Sequence, residues 1–176
     1  MLQKNNRYNV LKVFLDNPIE KFGLREISRK INLGLPSVKR YLSEFVNEGL
    51  IIRENYKGNP VYSAEIDSEK FRFYKRLFME YELFESGVID YLWKKLSPEG
   101  IIFYGGFQKG EATEDSDIDL FVIGKSNKKE KLNLEKYEKC LGREIHLFVD
   151  ELKTLPKELK NNLSNGIIMK GYVKFF

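Results

Sequence analysis

The sequence predicts an α+β chain in two parts: three helices closed by a β-hairpin, then a small mixed sheet with helices packed on it. Three observations predict this. Apolar residues recur at three- and four-residue steps through the first 46 positions. Two short extended runs punctuated by Gly and Pro follow at once. From residue 101 onward, short apolar runs alternate with Lys/Glu-rich stretches, the pattern of strands interleaved with helices. With 176 residues, 42% of them hydrophobic, the chain can bury a core in each part.

The segment NVLKVFLDNP carries Val10, Leu11, Val13, Phe14 and Leu15 on helical spacing, and Asn17-Pro18 stops it. GLREISRKIN repeats the pattern at Leu24, Ile27 and Ile31 and breaks at Gly34. A third helix, LPSVKRYLSEFVNEG, sets Val38, Tyr41, Leu42, Phe45 and Val46 on one face, with Pro36 in its first turn and Gly49 at its C-terminal cap. LIIRE and VYSAEI, separated by NYKGNP, read as a hairpin. From Asp67 to about Leu96 a helical stretch that breaks at Ser86-Gly87 carries an apolar stripe of Phe71, Tyr74, Phe78, Tyr81, Phe84, Val88 and Tyr91. This stripe is expected to pack between the two parts or at a dimer interface. Then come strand IIFYG (101–105), strand DIDLFVI (117–123), a Lys/Glu-rich helix through about Leu141, strand EIHLFVD (144–150), a helix at about 153–163, and a last extended run, IIMKGYVKFF. The expected division is 1–66, a helical connector at 67–86, and 87–176.

Charge is unevenly placed. Residues 1–65 hold 11 Lys/Arg against 7 Asp/Glu, whereas 66–176 hold 19 of each, so the whole excess lies where a polyanion would bind. No apolar run approaches the roughly 20 residues that span a bilayer, and no leader-like segment opens the chain, so a cytoplasmic protein is expected. The single cysteine, Cys140, has no partner for an internal disulfide and no zinc-site spacing.

Three helices and a hairpin, the second and third helices joined by a short Gly-containing turn, are the layout of a winged helix-turn-helix. The stretch LREISRKINLGLPSVKRYLSEFVNEGLIIRENYKGNPVY resembles the winged-helix domains of the MarR and ArsR type of bacterial and archaeal regulators. The resemblance implies that the third helix enters the major groove, so that Ser37, Lys39, Arg40 and Ser43 face DNA, with Lys57 at the wing tip. Glu44 and Glu48 dilute the positive field of that helix, which implies modest affinity. Such a layout is also compatible with a homodimer on DNA.

The run GGFQKGEATEDSDIDLFVI (105–123) concentrates the chemistry. Side chains alternate across a strand, so Asp117 and Asp119 share a face while Ile118, Leu120 and Val122 enter the core. Two carboxylates about 7 Å apart along a strand can converge on a divalent cation, and Mg²⁺ takes carboxylate oxygens together with substrate phosphate oxygens. Gly105 and Gly106, just after a strand, let backbone approach a phosphate closely and offer it amide donors. Glu111, Glu114 and Asp115 have no strand to aim them and read as solvated loop acids.

This layout, FYGGFQKGEATEDSDIDLFVI, resembles the nucleotidyltransferase families of the DNA polymerase beta superfamily, above all the minimal nucleotidyltransferases, over about residues 87–176. The resemblance implies transfer of a nucleoside monophosphate from an NTP to an acceptor hydroxyl, dependent on Mg²⁺ or Mn²⁺. It implies Asp117 and Asp119 at the metal and Gly105, Gly106, Lys109 and Ser116 at the nucleotide. Two departures stand out. Gly106 replaces the serine these families often carry after the first glycine, and His146 holds the position of their third carboxylate in LGREIHLFVD. His146 is thus a candidate base or metal ligand, with Glu144 two residues away on the same face as a substitute carboxylate. The expectation is an enzyme whose winged helix binds DNA. Its alternative is a DNA-binding transcriptional regulator whose second domain only senses nucleotide or has lost catalysis.

Overall fold

A computed structural model describes residues 5–125 and 132–174. The chain divides into two compact units, Met1–Lys75 and Arg76–Phe176.

In the first unit, α1 (Asn6–Asp16) starts at Asn5, whose side-chain oxygen accepts from the backbone N–H of Arg7 at 2.9 Å and of Tyr8 at 3.2 Å. Its Val10, Leu11, Val13, Phe14 and Leu15 are all buried, as the spacing requires. α2 (Leu24–Lys30) is opened by Glu26, whose carboxylate accepts from the Gly23 N–H. α3 (Leu35–Asn47) begins with Pro36 in its first turn, buries Val38, Leu42 and Phe45, and is closed by Gly49 in the left-handed region at φ +69°. The hairpin pairs β2 (Ile51–Tyr56) with β3 (Asn59–Ala64) through Lys57-Gly58, both at positive φ, a two-residue turn whose twist matches the strands. A strand absent from the sequence reading, β1 (Phe22–Gly23), pairs with β3 at Tyr62 and Val61 and makes the sheet order β1-β3-β2. Two residues are too few to show a period; only the tertiary partner defines them. Phe14 meets Phe22 edge to face at 5.7 Å in the core.

α4 (Glu69–Ser86) and α5 (Val88–Leu96) are separated at Gly87, φ +76°. Of the expected apolar stripe, Phe71, Phe78 and Val88 are buried, whereas Phe84 is 71% exposed on the single chain. Mixed three- and four-residue steps drift around a helix of about 100° per residue, so Phe84 lies about 140° from Phe71.

In the second unit β4 (Gly100–Tyr104), β5 (Ile118–Ile123), β6 (Ile145–Asp150) and β7 (Ile167–Gly171) form one sheet in the order β6-β5-β4-β7. It is mixed, as predicted: β5 and β6 are parallel, and β4 is antiparallel to both β5 and β7. α6 (Gly106–Lys109) follows β4, and α7 (Glu135–Leu141) precedes β6. The Lys/Glu-rich helix expected through about Leu141 does end there, and residues 126–131 of that stretch lie outside the described residues. A 3-10 turn, Leu152–Thr154, precedes α8 (Lys157–Ser164), which therefore starts four residues later than expected. Pro156 holds Leu155 extended, so the helix can begin only after it.

Both faces of β5 are covered. Ile118, Leu120 and Val122 are buried as predicted, and so are Phe121 and Ile123 on the face that carries Asp119. Phe121 and Ile123 join Ile102, Leu152, Leu155 and Leu163 in one hydrophobic cluster. The acids therefore sit at the end of a packed face, not along a solvent face. Among the described residues no helix is long and apolar enough to cross a membrane.

Candidate active site

β5 runs between β4 and β6 in a register that fixes the site. Tyr104 of β4 lies opposite Asp119, and Asp119 lies opposite His146 of β6. Residues in register on adjacent strands share a face, so Tyr104, Asp119 and His146 form a row across the sheet. The next row inward is Ile102, Phe121 and Phe148, with the last two rings stacked at 5.8 Å. The apolar row gives the polar one a floor.

His146 sits between two carboxylates. Its Nε2 is 3.4 Å from Asp117 Oδ2, and its Nδ1 is 3.8 Å from Asp119 Oδ1. Glu144 joins them: ligand atoms of Asp117, Glu144 and His146 lie within 4.8 Å of one another. The imidazole is open to solvent at 61% side-chain exposure, against 31% for Asp119. Burial is the main reason the Asp119 carboxyl is held above its usual range; the nearby His146 opposes that shift and the Asp117 charge adds to it. The Tyr104 phenol is likewise pushed up by burial and by the Asp119 charge.

Gly105 closes the site from the other side. Its backbone adopts φ +83° at the turn from β4 into α6, and a Cβ built there would overlap the Asp119 carboxylate. Glycine is thus required twice, for the dihedral and for the approach. Gly106 opens the single turn of α6, Phe107 behind it is buried, and Lys109 is exposed in its last turn.

The loop ahead of Asp117 is braced by a residue to which the sequence reading gave no role. Arg143 Nη1 donates to the carbonyls of Thr113 at 2.8 Å, Glu114 at 2.6 Å and Ser116 at 3.0 Å, and the guanidinium lies over the Phe107 ring at 4.7 Å. One side chain from the turn before β6 therefore sets where β5 begins and ties it to α6. The Gly-Arg pair ahead of a strand was the available signal. Ser116, expected at the nucleotide, has its hydroxyl engaged inside this loop, accepting from the Thr113 N–H at 2.8 Å. Glu138 of α7 accepts from the Ile145 N–H at 3.0 Å and so fixes the start of β6. Of the loop acids, Glu111 and Asp115 are exposed and Glu114 is half-buried.

The other predicted interface lies in the first unit. Lys39, Arg40 and Ser43 are exposed on α3, Ser37 is half-buried, and Lys57 is exposed at the hairpin tip. Lys39 and Ser43 line a groove with Arg53 and Tyr62 of the sheet. Glu44 and Glu48 both pair with Arg7 of α1, and Glu48 also meets Lys70.

No curated protein matches the chain. A solved structure described as a possible transcriptional regulator from Methanosarcina mazei Go1 is similar over 52% of this chain and 80% of its own, at 18% identity and a TM-score of 0.35. The model of the family described as "Nucleotidyltransferase domain" matches residues 86–172, which contain both strands of the carboxylate–imidazole row and the Gly105 turn. The similarity to that family is confined to residues 86–172, just under half of the chain.

Proposed function

We propose that the protein is a divalent-metal-dependent nucleotidyltransferase that moves a nucleoside monophosphate from an NTP to an acceptor hydroxyl, and that its N-terminal unit is a winged helix-turn-helix that binds DNA. The observation that carries the catalytic half is the register of β4, β5 and β6, which gathers Asp117, Asp119, Glu144 and His146 beside the Gly105 turn. A carboxylate-rich donor set fits a hard divalent cation, Mg²⁺ or Mn²⁺, with Asp117 and Asp119 holding it. When bound, the ion supplies positive charge at the phosphates. Gly105 and Gly106 allow backbone to approach the phosphates, and the exposed Lys109 adds a positive charge on the next turn. The acceptor oxygen forms a bond to the α-phosphorus, the bond to the bridging oxygen breaks, and pyrophosphate leaves. The hydroxyl proton is given up to water at the open end of the sheet, where Asp117, Glu144 and His146 meet solvent. Labelled NTP incubated with the protein and a cell extract should label an acceptor, and Asp119→Asn should abolish it. No transfer with any NTP and either metal would sink this reading.

For the N-terminal unit, support comes from the element order, the I′ wing turn and the exposed Lys39, Arg40 and Lys57. A mobility-shift assay should show salt-sensitive duplex binding that weakens on Lys39→Ala. One observation favours a second reading: His146 stands in the metal-binding row without a negative charge. In that reading the protein is a DNA-binding regulator that senses NTP without turnover. A thermal shift with NTP and Mg²⁺ in the absence of any labelled product would select it.

A further inference from the structure

The ligand set grouped by the fold differs from the one assigned by the Asp-x-Asp pattern. The pattern pairs Asp117 with Asp119, whereas the parallel β5 and β6 bring Asp117 to Glu144 and His146, with ligand atoms mutually within 4.8 Å. An ion bound at about 2.0–2.2 Å holds opposite ligands roughly 4 Å apart, so side-chain rotations alone close this triad around one ion. All three sit at the open end of the sheet: Glu144 and His146 are exposed and Asp117 is half-exposed.

We propose that Asp117, Glu144 and His146 bind one divalent first-row transition-metal ion, and that the His146 nitrogen makes the site prefer such an ion to Mg²⁺. The inference rests on the metal-dependent reading above, puts Glu144 and His146 in place of Asp119 among the ligands, and narrows the choice of metal. Three features support it. Imidazole binds the first-row transition ions, Mn²⁺ the most weakly of them, and is a poor ligand for Mg²⁺, which takes oxygen and keeps its waters. The two ring nitrogens are already divided: Nε2 faces Asp117, within the triad, at 3.4 Å, and Nδ1 faces Asp119 at 3.8 Å. A ligating histidine commonly directs its second nitrogen at a carboxylate that sets tautomer and ring orientation, and the half-buried Asp119 stands in that place. Finally, the backbone of Gly105 packs on Asp119, which limits where that carboxylate can go and leaves Asp117 and Glu144 as the freer oxygens.

The test is made on the full chain without nucleotide. Titration calorimetry with Mn²⁺ and with Mg²⁺ gives the preference, and pulsed EPR of bound Mn²⁺ reads nitrogen ligation directly. The wild type should show ¹⁴N coupling and a Mn²⁺ preference that falls about tenfold in His146→Asp, which restores an oxygen ligand. Glu144→Gln should weaken both ions alike and keep the ¹⁴N signal. Circular dichroism checks that each variant is folded, and His146→Gln serves if His146→Asp is not. Mn²⁺ bound without ¹⁴N coupling, an unchanged preference in the His146 variants, or no Mn²⁺ binding at all overturns the inference. Because no turnover is read, a nitrogen-ligated ion together with failed label transfer sinks only the nucleotidyl-transfer reading.

Discussion

Asp119 is where the physics of a single residue is most exposed. Burial raises its folded pKa, so the folded state holds a proton more tightly than the unfolded chain does. The ionised form therefore costs stability at neutral pH, and that cost disappears as pH falls below the unfolded value near 3.8. Without divalent ion, Asp119→Asn should melt higher than wild type at pH 7, with the gap closing toward pH 3.8. Addition of Mn²⁺ should raise the wild-type midpoint more than the variant's; equal shifts in a melting series would contradict a role for this carboxylate at the ion. Gly105 allows a second prediction. Gly105→Ala places a methyl on the Asp119 carboxylate at a positive φ, and should cost about 1–3 kcal/mol in denaturant unfolding while lowering transfer activity. The two glycines and the Asp-x-Asp were legible in the sequence because their types and spacing are local. The overlap between Gly105 and Asp119 was not, since 14 positions separate them and only the pairing of β4 with β5 brings them together.

At the scale of elements, the site depends on three strand ends being level. Arg143 holds the β5 entry through three carbonyls, and Glu138 holds the β6 entry through the Ile145 N–H. Arg143→Ala should lose about 1.5–3 kcal/mol of stability, the usual worth of a hydrogen bond to a charged group. As a positioning residue it should lower kcat more than it raises the KM for NTP, and Arg143→Lys should rescue stability better than kcat, because an ammonium lacks the planar fork. A variant with kcat intact would show that the loop finds its place unaided. Helices and strands with several apolar residues at a clean period were visible beforehand: α1, α3, β4 and β5 all fall close to their predicted ranges. β1 and the start of α8 were not. The first has only two residues, and the second was decided by the proline ahead of it.

At the scale of the molecule, a basic N-terminal unit and a second unit similar to nucleotidyltransferase domains share one chain. If the first unit binds DNA as proposed, the logarithm of affinity should fall linearly with that of salt, and Lys39→Ala or Lys57→Ala should each reduce the slope by about 1. A salt-independent shift in a mobility assay would point to a protein partner instead. The sequence by itself determined the α+β class, the order of nearly all elements, the asymmetry of charge and the identity of the acidic pair. These follow from periodicity, turn chemistry and composition, all of which act over a few neighbouring residues. Only the tertiary structure decided that β5 is covered on both faces, that Phe84 turns outward, and that Arg143 braces the loop. It alone decided, too, that His146 stands level with Asp119, while its Nε2 meets Asp117 beside Glu144. Those facts depend on strand register and packing, and register is set by contacts between residues far apart in the chain.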